Sequence, residues 1–252
     1  MKIKFVVLFF LLVFATTAQA FTYIATDTGT GGADTYVGND SSTGPTSTHG
    51  AEIRIRVRND QLVGTTTPLR ERIAYLRFDL TGAEEEIAGD ITGSRLILDA
   101  TFLKGGAKTW DVYGLGEAQD AWVEGTLCYK DAAGVLAPGL LDAPLGNYRL
   151  DPNVGVMTLL GQITSPAFYT GVVYPIRYQS SYLTLPLANF LKADTDKHVT
   201  FVIISVANNN CEHEFASKEH ATFVAPTLLL VPEPATIALL GLGGLALLRR
   251  KR

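Results

Sequence analysis

Arg72-Ile73-Ala74-Tyr75-Leu76-Arg77-Phe78-Asp79-Leu80 is the stretch that decides the fold class. Ala74, Leu76, Phe78 and Leu80 alternate with Tyr75, Arg77 and Asp79. A period of two puts one set on a dry face and the other on a wet face, as in a half-buried strand. The same period recurs on either side. Ile53, Ile55 and Val57 alternate with Glu52, Arg54, Arg56 and Arg58. Leu96, Leu98, Ala100 and Phe102 form one face of another segment, and Trp110, Val112 and Gly114 a further one. Leu183, Leu185 and Leu187 fit the pattern too, while Val199 to Val206 is a continuous β-branched run suited to a central strand. Thr227 to Val231 closes the set. Strands with one wet face, separated by Gly, Pro, Asn and Asp, predict an all-β antiparallel β-sandwich. Helix signal is poor; the best short candidate is Leu187 to Leu191, where Leu187, Phe190 and Leu191 share a face. Thr26 to Thr48 reads as a long Gly-, Ser- and Thr-rich loop.

Both ends of the chain stand apart from this pattern. Met1-Lys2-Ile3-Lys4 is a basic start, Phe5 to Phe14 is apolar, and Ala18-Gln19-Ala20 is a small-x-small cleavage site. Residues 1–20 therefore read as a secretory signal peptide, to be removed by signal peptidase. At the other end Pro232, Glu233 and Pro234 precede an apolar run from Ala235 to Leu248 and the cluster Arg249-Arg250-Lys251-Arg252. The prolines cut the run off from the domain before it. As a helix the run spans about 21 Å at 1.5 Å per residue, short of a bilayer core of about 30 Å. Snorkelling arginines extend its reach, and the cations stay on the cytoplasmic side. This segment, residues 232–252, resembles the PEP-CTERM signal. That resemblance implies exosortase as a partner during export, a transient hydrophobic anchor helix in the inner membrane, and release to the cell surface or extracellular matrix.

The domain between the ends spans residues 21–231, enough for one core. The whole chain has net charge −4. Without Lys2, Lys4, the four terminal cations and Glu233, 15 basic and 24 acidic residues remain, and the net charge is −9. Such a balance argues against nucleic acid as a partner. Cys128 and Cys211 both lie in the exported part, so the choices are one disulfide or two buried thiols.

Three phrases carry a further resemblance. They are Asp34-Thr35-Tyr36-Val37 with the basic strand at Arg54 to Arg58; Arg72 to Leu80 with Ser94-Arg95-Leu96-Ile97-Leu98; and Asp120-Ala121-Trp122-Val123-Glu124-Gly125-Thr126-Leu127 with Phe215-Ala216-Ser217-Lys218-Glu219 and Ala225-Pro226-Thr227-Leu228. Together they resemble the DNRLRE domain, over most of residues 24–231. Two departures are Leu127-Cys128-Tyr129 and a long insertion around residues 134 to 180. The resemblance implies a jelly-roll type of β-sandwich that binds polysaccharide, acidic in some members.

Residue chemistry offers candidates for that role. Arg54, Arg56 and Arg58 project from one strand face about 7 Å apart, a stripe able to hold uronate carboxylates. Arg77, Tyr75 and Lys218 extend it if their strands adjoin. The alternative is an ordinary solvated face paired with neighbouring acids. Trp122 reads as packed over the end of a core, and Glu124 and Glu219 as acceptors that fix loops. Asp27, Asp34 and Asp40 lie in a Gly-rich stretch and are the candidates for calcium, without EF-hand spacing. Cys211, Glu212, His213 and His220 lack zinc-site spacing. Glu117, Asp120 and Glu124 form an acidic loop, but no nucleophile elbow, P-loop or dinucleotide fingerprint appears, so the expectation is a protein that is not an enzyme. The rival readings are a structural matrix protein without specific ligand and a carbohydrate-active enzyme.

Overall fold

A computed structural model describes residues 21–27, 31–39, 44–60, 70–89, 91, 94–103, 108–133, 135–136, 149–150, 156–165, 176–179, 185–205 and 212–231. These residues are mostly β. Along the chain run β1 (Thr22–Ala25), β2 (Ala33–Asn39), β3 (Arg54–Asp60), β4 (Arg70–Asp79), β5 (Arg95–Leu103), β6 (Lys108–Leu115), β7 (Val135–Leu136), β8 (Arg149–Leu150), β9 (Met157–Ser165), β10 (Ile176–Gln179), β11 (His198–Ser205), β12 (His213–Ala216) and β13 (Thr227–Leu230). Two short helices are α1 (Glu84–Ala88) and α2 (Leu185–Ala193).

All the strands except the β7–β8 pair join one curled antiparallel sheet. One half has β5 beside β10, β12 and β13, with β1 on the far side of β13. In the other half, β4 lies between β2 and β11, followed by β6 and β9. Strand β3 joins the halves: Arg54 to Val57 pair with β12, and Arg58 to Asp60 pair with β4. At the opposite end of the first half, Thr22 pairs with Leu230, so the first and last strands of the domain are neighbours.

The curl closes around the main core. Leu96, Leu98 and Leu228 of one half meet Phe78, Trp110, Phe201 and Ile203 of the other, with Leu187 and Leu191 of α2 at one end. Trp110 is fully buried, edge-on to Phe215 at 5.4 Å. Side chains of this size contribute about 1.5–3 kcal/mol each on burial.

The structure changes three expectations. Residues 185–187 belong to α2 and not to a strand. Leu187, Ala188 and Leu191 are buried, and that spacing suits one helical face; Pro186 sits in the first turn, where its missing N–H costs nothing. The expected loop from Thr26 to Thr48 contains β2, whose Tyr36 and Val37 are both buried. The outer face of β4 is dry as well: Ile73 and Tyr75 pack with Val37, Val202, Trp122, Leu127 and Tyr129 in a second apolar layer. The segment after β6 folds over that face. The signal peptide and the expected anchor helix lie outside the described residues, and no helix among the described residues is long and apolar enough to cross a membrane.

Candidate functional site

The arginine stripe is present on β3, and it is zipped. Arg54 Nη1 lies 2.7 Å from Glu214 Oε2, and Arg56 Nε lies 3.3 Å from Glu214 Oε1 and 3.7 Å from Glu212 Oε1. Arg58 reaches Glu212 at 4.0 Å, and Arg72 also pairs with Glu212. Glu214 of β12 is in register with Arg56 on β3, and Glu212 sits just before the start of β12. Beneath them the ring of Tyr36 lies 5.6 Å from the Arg56 guanidinium and stacks on His49 at 4.1 Å. The Tyr36 hydroxyl donates to Glu52 at 3.0 Å. A uronate docking here competes with carboxylates already paired to the stripe.

The expected extensions of the stripe lie elsewhere. Tyr75 is fully buried and donates to the Ala133 carbonyl at 2.8 Å. Arg77 donates to the carbonyls of Gly31 at 2.7 Å, Asp120 at 3.2 Å and Trp122 at 2.6 Å. Both hold down the covering segment, so neither offers a face to a ligand. Trp122 is buried there, as its position next to a turn implies, and its indole N–H donates to Thr200 at 2.9 Å. Lys218 pairs with Glu124 at 2.6 Å. Cys128 is a free, buried thiol that donates to Asp131 at 3.1 Å; Cys211, its expected partner, lies outside the described residues.

A cleft of about 420 Å³ opens between the end of β6, α2 and the turn before β11. Glu117, Asp120 and Asp194 line it with Asn189, Phe190 and His198. Local structure explains how they meet. After β6, the Gly116 amide donates to Val156 and the Gln119 amide to Gly116, which turns the chain into a single 3₁₀ turn carrying Glu117. After α2, the Lys197 amide donates to Asp194 Oδ2 at 2.9 Å and the His198 amide to Asp196 Oδ1 at 2.8 Å. These side-chain bonds hold Lys197 at φ +69°, in the left-handed region. Thr195 donates to Glu117 and ties the two turns together. Phe190 forms the apolar wall, lying over Gly114, where a Cβ would come within 2.6 Å of the ring.

The carboxylates of the cleft are perturbed. Burial, followed by the charges of Asp196, Glu117 and Asp194, raises Asp120 to about 6. Burial and Glu117 raise Asp194 to about 6. Of the acidic loop read from the sequence, Glu117 and Asp120 reach the cleft and Glu124 does not. Asp194 and His198 were missed because they lie more than 70 residues further on; the signal for them was the polar run Asp194-Thr195-Asp196-Lys197-His198.

Two groups of carboxylates have geometry that suits a metal ion: Glu117 with Asp120 and Asp194, and Asp34 with Glu124 and Glu219. In each, one oxygen per residue lies within 4.8 Å of the others. Of the calcium candidates only Asp34 joins such a group. Asp27 is exposed in the turn after β1, and Asp40 lies outside the described residues. Burial, with Glu219 and Glu124 nearby, raises Asp34 to about 7. Glu124 accepts the Asp34 backbone amide at 3.1 Å, the loop-fixing role expected of it.

Residues 230–252 match the PEP-CTERM protein-sorting motif. No curated protein matches the chain. The chain is an exported protein that crosses the membrane, is processed by exosortase and is sorted to the cell surface.

Proposed function

We propose that the exported domain binds polysaccharide at the cell surface or in the extracellular matrix, through the cleft beside α2. The cleft carries this reading: its lining combines an apolar wall from Phe190 with oxygen acceptors from Glu117, Asp120 and Asp194 and the amide of Asn189. Sugar rings present apolar C–H faces to an aromatic ring and hydroxyl donors to carboxylates. The curled sheet and the phrases shared with the DNRLRE domain support a jelly-roll binding module. The acidic lining favours a neutral or amino-sugar chain over a uronate chain, which like charges repel. The arginine stripe, matched by Glu212 and Glu214, is read as a structural charge ladder.

The reading is of a binding protein and not an enzyme. Glu117, Asp120 and Asp194 each bring one oxygen within 4.8 Å of the others, a convergence suited to accepting several sugar hydroxyls at once. A glycan array probed with the detergent-solubilised full-length chain tests the reading. Binding to neutral or amino-sugar polysaccharides, lost in Phe190→Ala, is expected. Silence on every polysaccharide leaves the structural matrix protein as the better reading. Release of reducing ends overturns the non-enzymatic part.

A further inference from the structure

Asp34 is 1% exposed. Its Oδ2 is satisfied by the Thr26 hydroxyl at 2.6 Å and the Lys218 amide at 2.9 Å. Its Oδ1 is buried and has no hydrogen-bond partner. Glu219 Oε2 is in the same condition. An unmet buried acceptor destabilises the fold, and more so when charged. Two such oxygens within one carboxylate cluster call for something between them.

The cluster is short of positive charge. Glu124 is matched by Lys218 Nζ at 2.6 Å, and the same ammonium is 4.0 Å from Glu219 Oε1. With Asp34 ionised, three carboxylates face one cation and leave two negative charges. A divalent ion cancels that excess. The donors are all oxygen, and neither imidazole nor thiolate joins the group. Hard oxygen donors of mixed geometry suit calcium, whereas zinc and copper favour nitrogen and sulfur.

We propose that Asp34, Glu124 and Glu219 form a calcium site that clasps three distant segments: the start of β2, the turn after Trp122, and the turn after β12. Their backbone is already held in place. Asp34 donates its amide to Glu124 Oε1, and Ser217 bonds the Glu52 carbonyl at 2.7 Å. Gly50 lies against the Glu124 turn, where a Cβ would come 2.3 Å from the Glu124 carbonyl oxygen. The clasp is a frame element, so it stands or falls apart from glycan binding in the cleft.

Calorimetric titration of the detergent-solubilised full-length chain with calcium chloride tests the site, alongside thermal unfolding in EDTA and in calcium. One ion is expected to bind with a dissociation constant of about 10⁻⁴–10⁻³ M, the range of extracellular modules. Saturating calcium is expected to raise Tm by about 5 °C over EDTA. Asp34→Asn and Glu219→Gln each abolish both responses. Glu219→Gln, the less buried of the two, serves where Asp34→Asn fails to fold. Absence of saturable calcium heat in the unmodified chain overturns the proposal. So does binding that survives in the folded variants, which places the ion elsewhere. An equal response to magnesium overturns the assignment to calcium.

Discussion

The guanidinium of Arg77 lies 5.0 Å over the ring of Trp122 and donates to the carbonyl of the same residue. One side chain on β4 thereby holds the covering segment by its ring and by its backbone. Three carbonyls depend on this fork. Arg77→Ala is expected to destabilise the domain by about 2–4 kcal/mol in urea unfolding. Arg77→Lys recovers little, because a single ammonium cannot serve carbonyls on both Gly31 and Trp122. The emission of Trp122 shifts to the red in both variants while fully buried Trp110 stays blue. A red shift without loss of stability refutes the role given to Arg77.

The ladder between β3 and β12 predicts an asymmetric charge swap. Arg56→Glu sets a new carboxylate opposite Glu214 and is expected to cost about 2 kcal/mol. Adding Glu214→Arg restores most of that loss. The stripe then gains no uronate affinity in either state. A double variant no better than the single one shows that the pair does not interact.

Two buried groups pull the pH dependence of stability in opposite directions. Asp34 is raised from 3.8 to about 7 when folded, so the folded state holds the extra proton between those values. Its contribution therefore falls as pH rises from about 4 to 7, by at most about 4 kcal/mol. His213 is lowered from 6.5 to about 4 by burial and then by the Lys108 ammonium. Its contribution is full above 6.5 and is lost as pH falls towards 4, by at most about 3 kcal/mol. Asp120 and Asp194, also raised to about 6, add a falling slope common to every variant. Relative to the unmodified chain in EDTA, Asp34→Asn tilts the slope upward with pH over this window, and His213→Phe tilts it downward. Denaturant titrations at half-unit steps from pH 4 to 7.5 check both signs.

Gly114 keeps the cleft open by letting Phe190 lie flat on β6. Gly114→Ala drives a Cβ into the ring and is expected to cost about 1–3 kcal/mol and to abolish glycan binding together. Phe190→Ala in the same chain relieves the clash and restores stability without restoring binding. Thermal unfolding and the glycan array, run on the same three proteins, separate these outcomes.

Much of the frame was legible. The alternation in Arg72 to Leu80 placed β4, because the face towards the main core repeats every second residue, and the continuous run from Val199 placed β11, which is buried on both faces. Ile73 and Tyr75 were harder: their partners Trp122, Leu127 and Tyr129 come from a segment that looks polar and loop-like by itself. Leu185 and Leu187 fit a strand as well as a helix, and only the burial of Ala188 and Leu191 decides between them; Leu183 lies outside the described residues. The stripe was rightly put on one face of β3. Its neutralising partners, Glu212 and Glu214, lie more than 150 residues away and left no local trace. Asp34 was grouped with Asp27 and Asp40 by closeness in sequence, but the carboxylates that meet it are those of Glu124 and Glu219. Glu124 comes from mid-chain and Glu219 from near its end, a pairing that strand order creates and spacing cannot show.

The pairing of Thr22 with Leu230 has a mechanical meaning. The sorting tail begins where β13 ends, so tension on the tail during export or anchoring enters the domain through β13. That strand is laced on one side to β1 and on the other to β5. Drawing it out requires two ladders to yield together, so the tether is fastened to a seam that resists peeling and not to a loose edge.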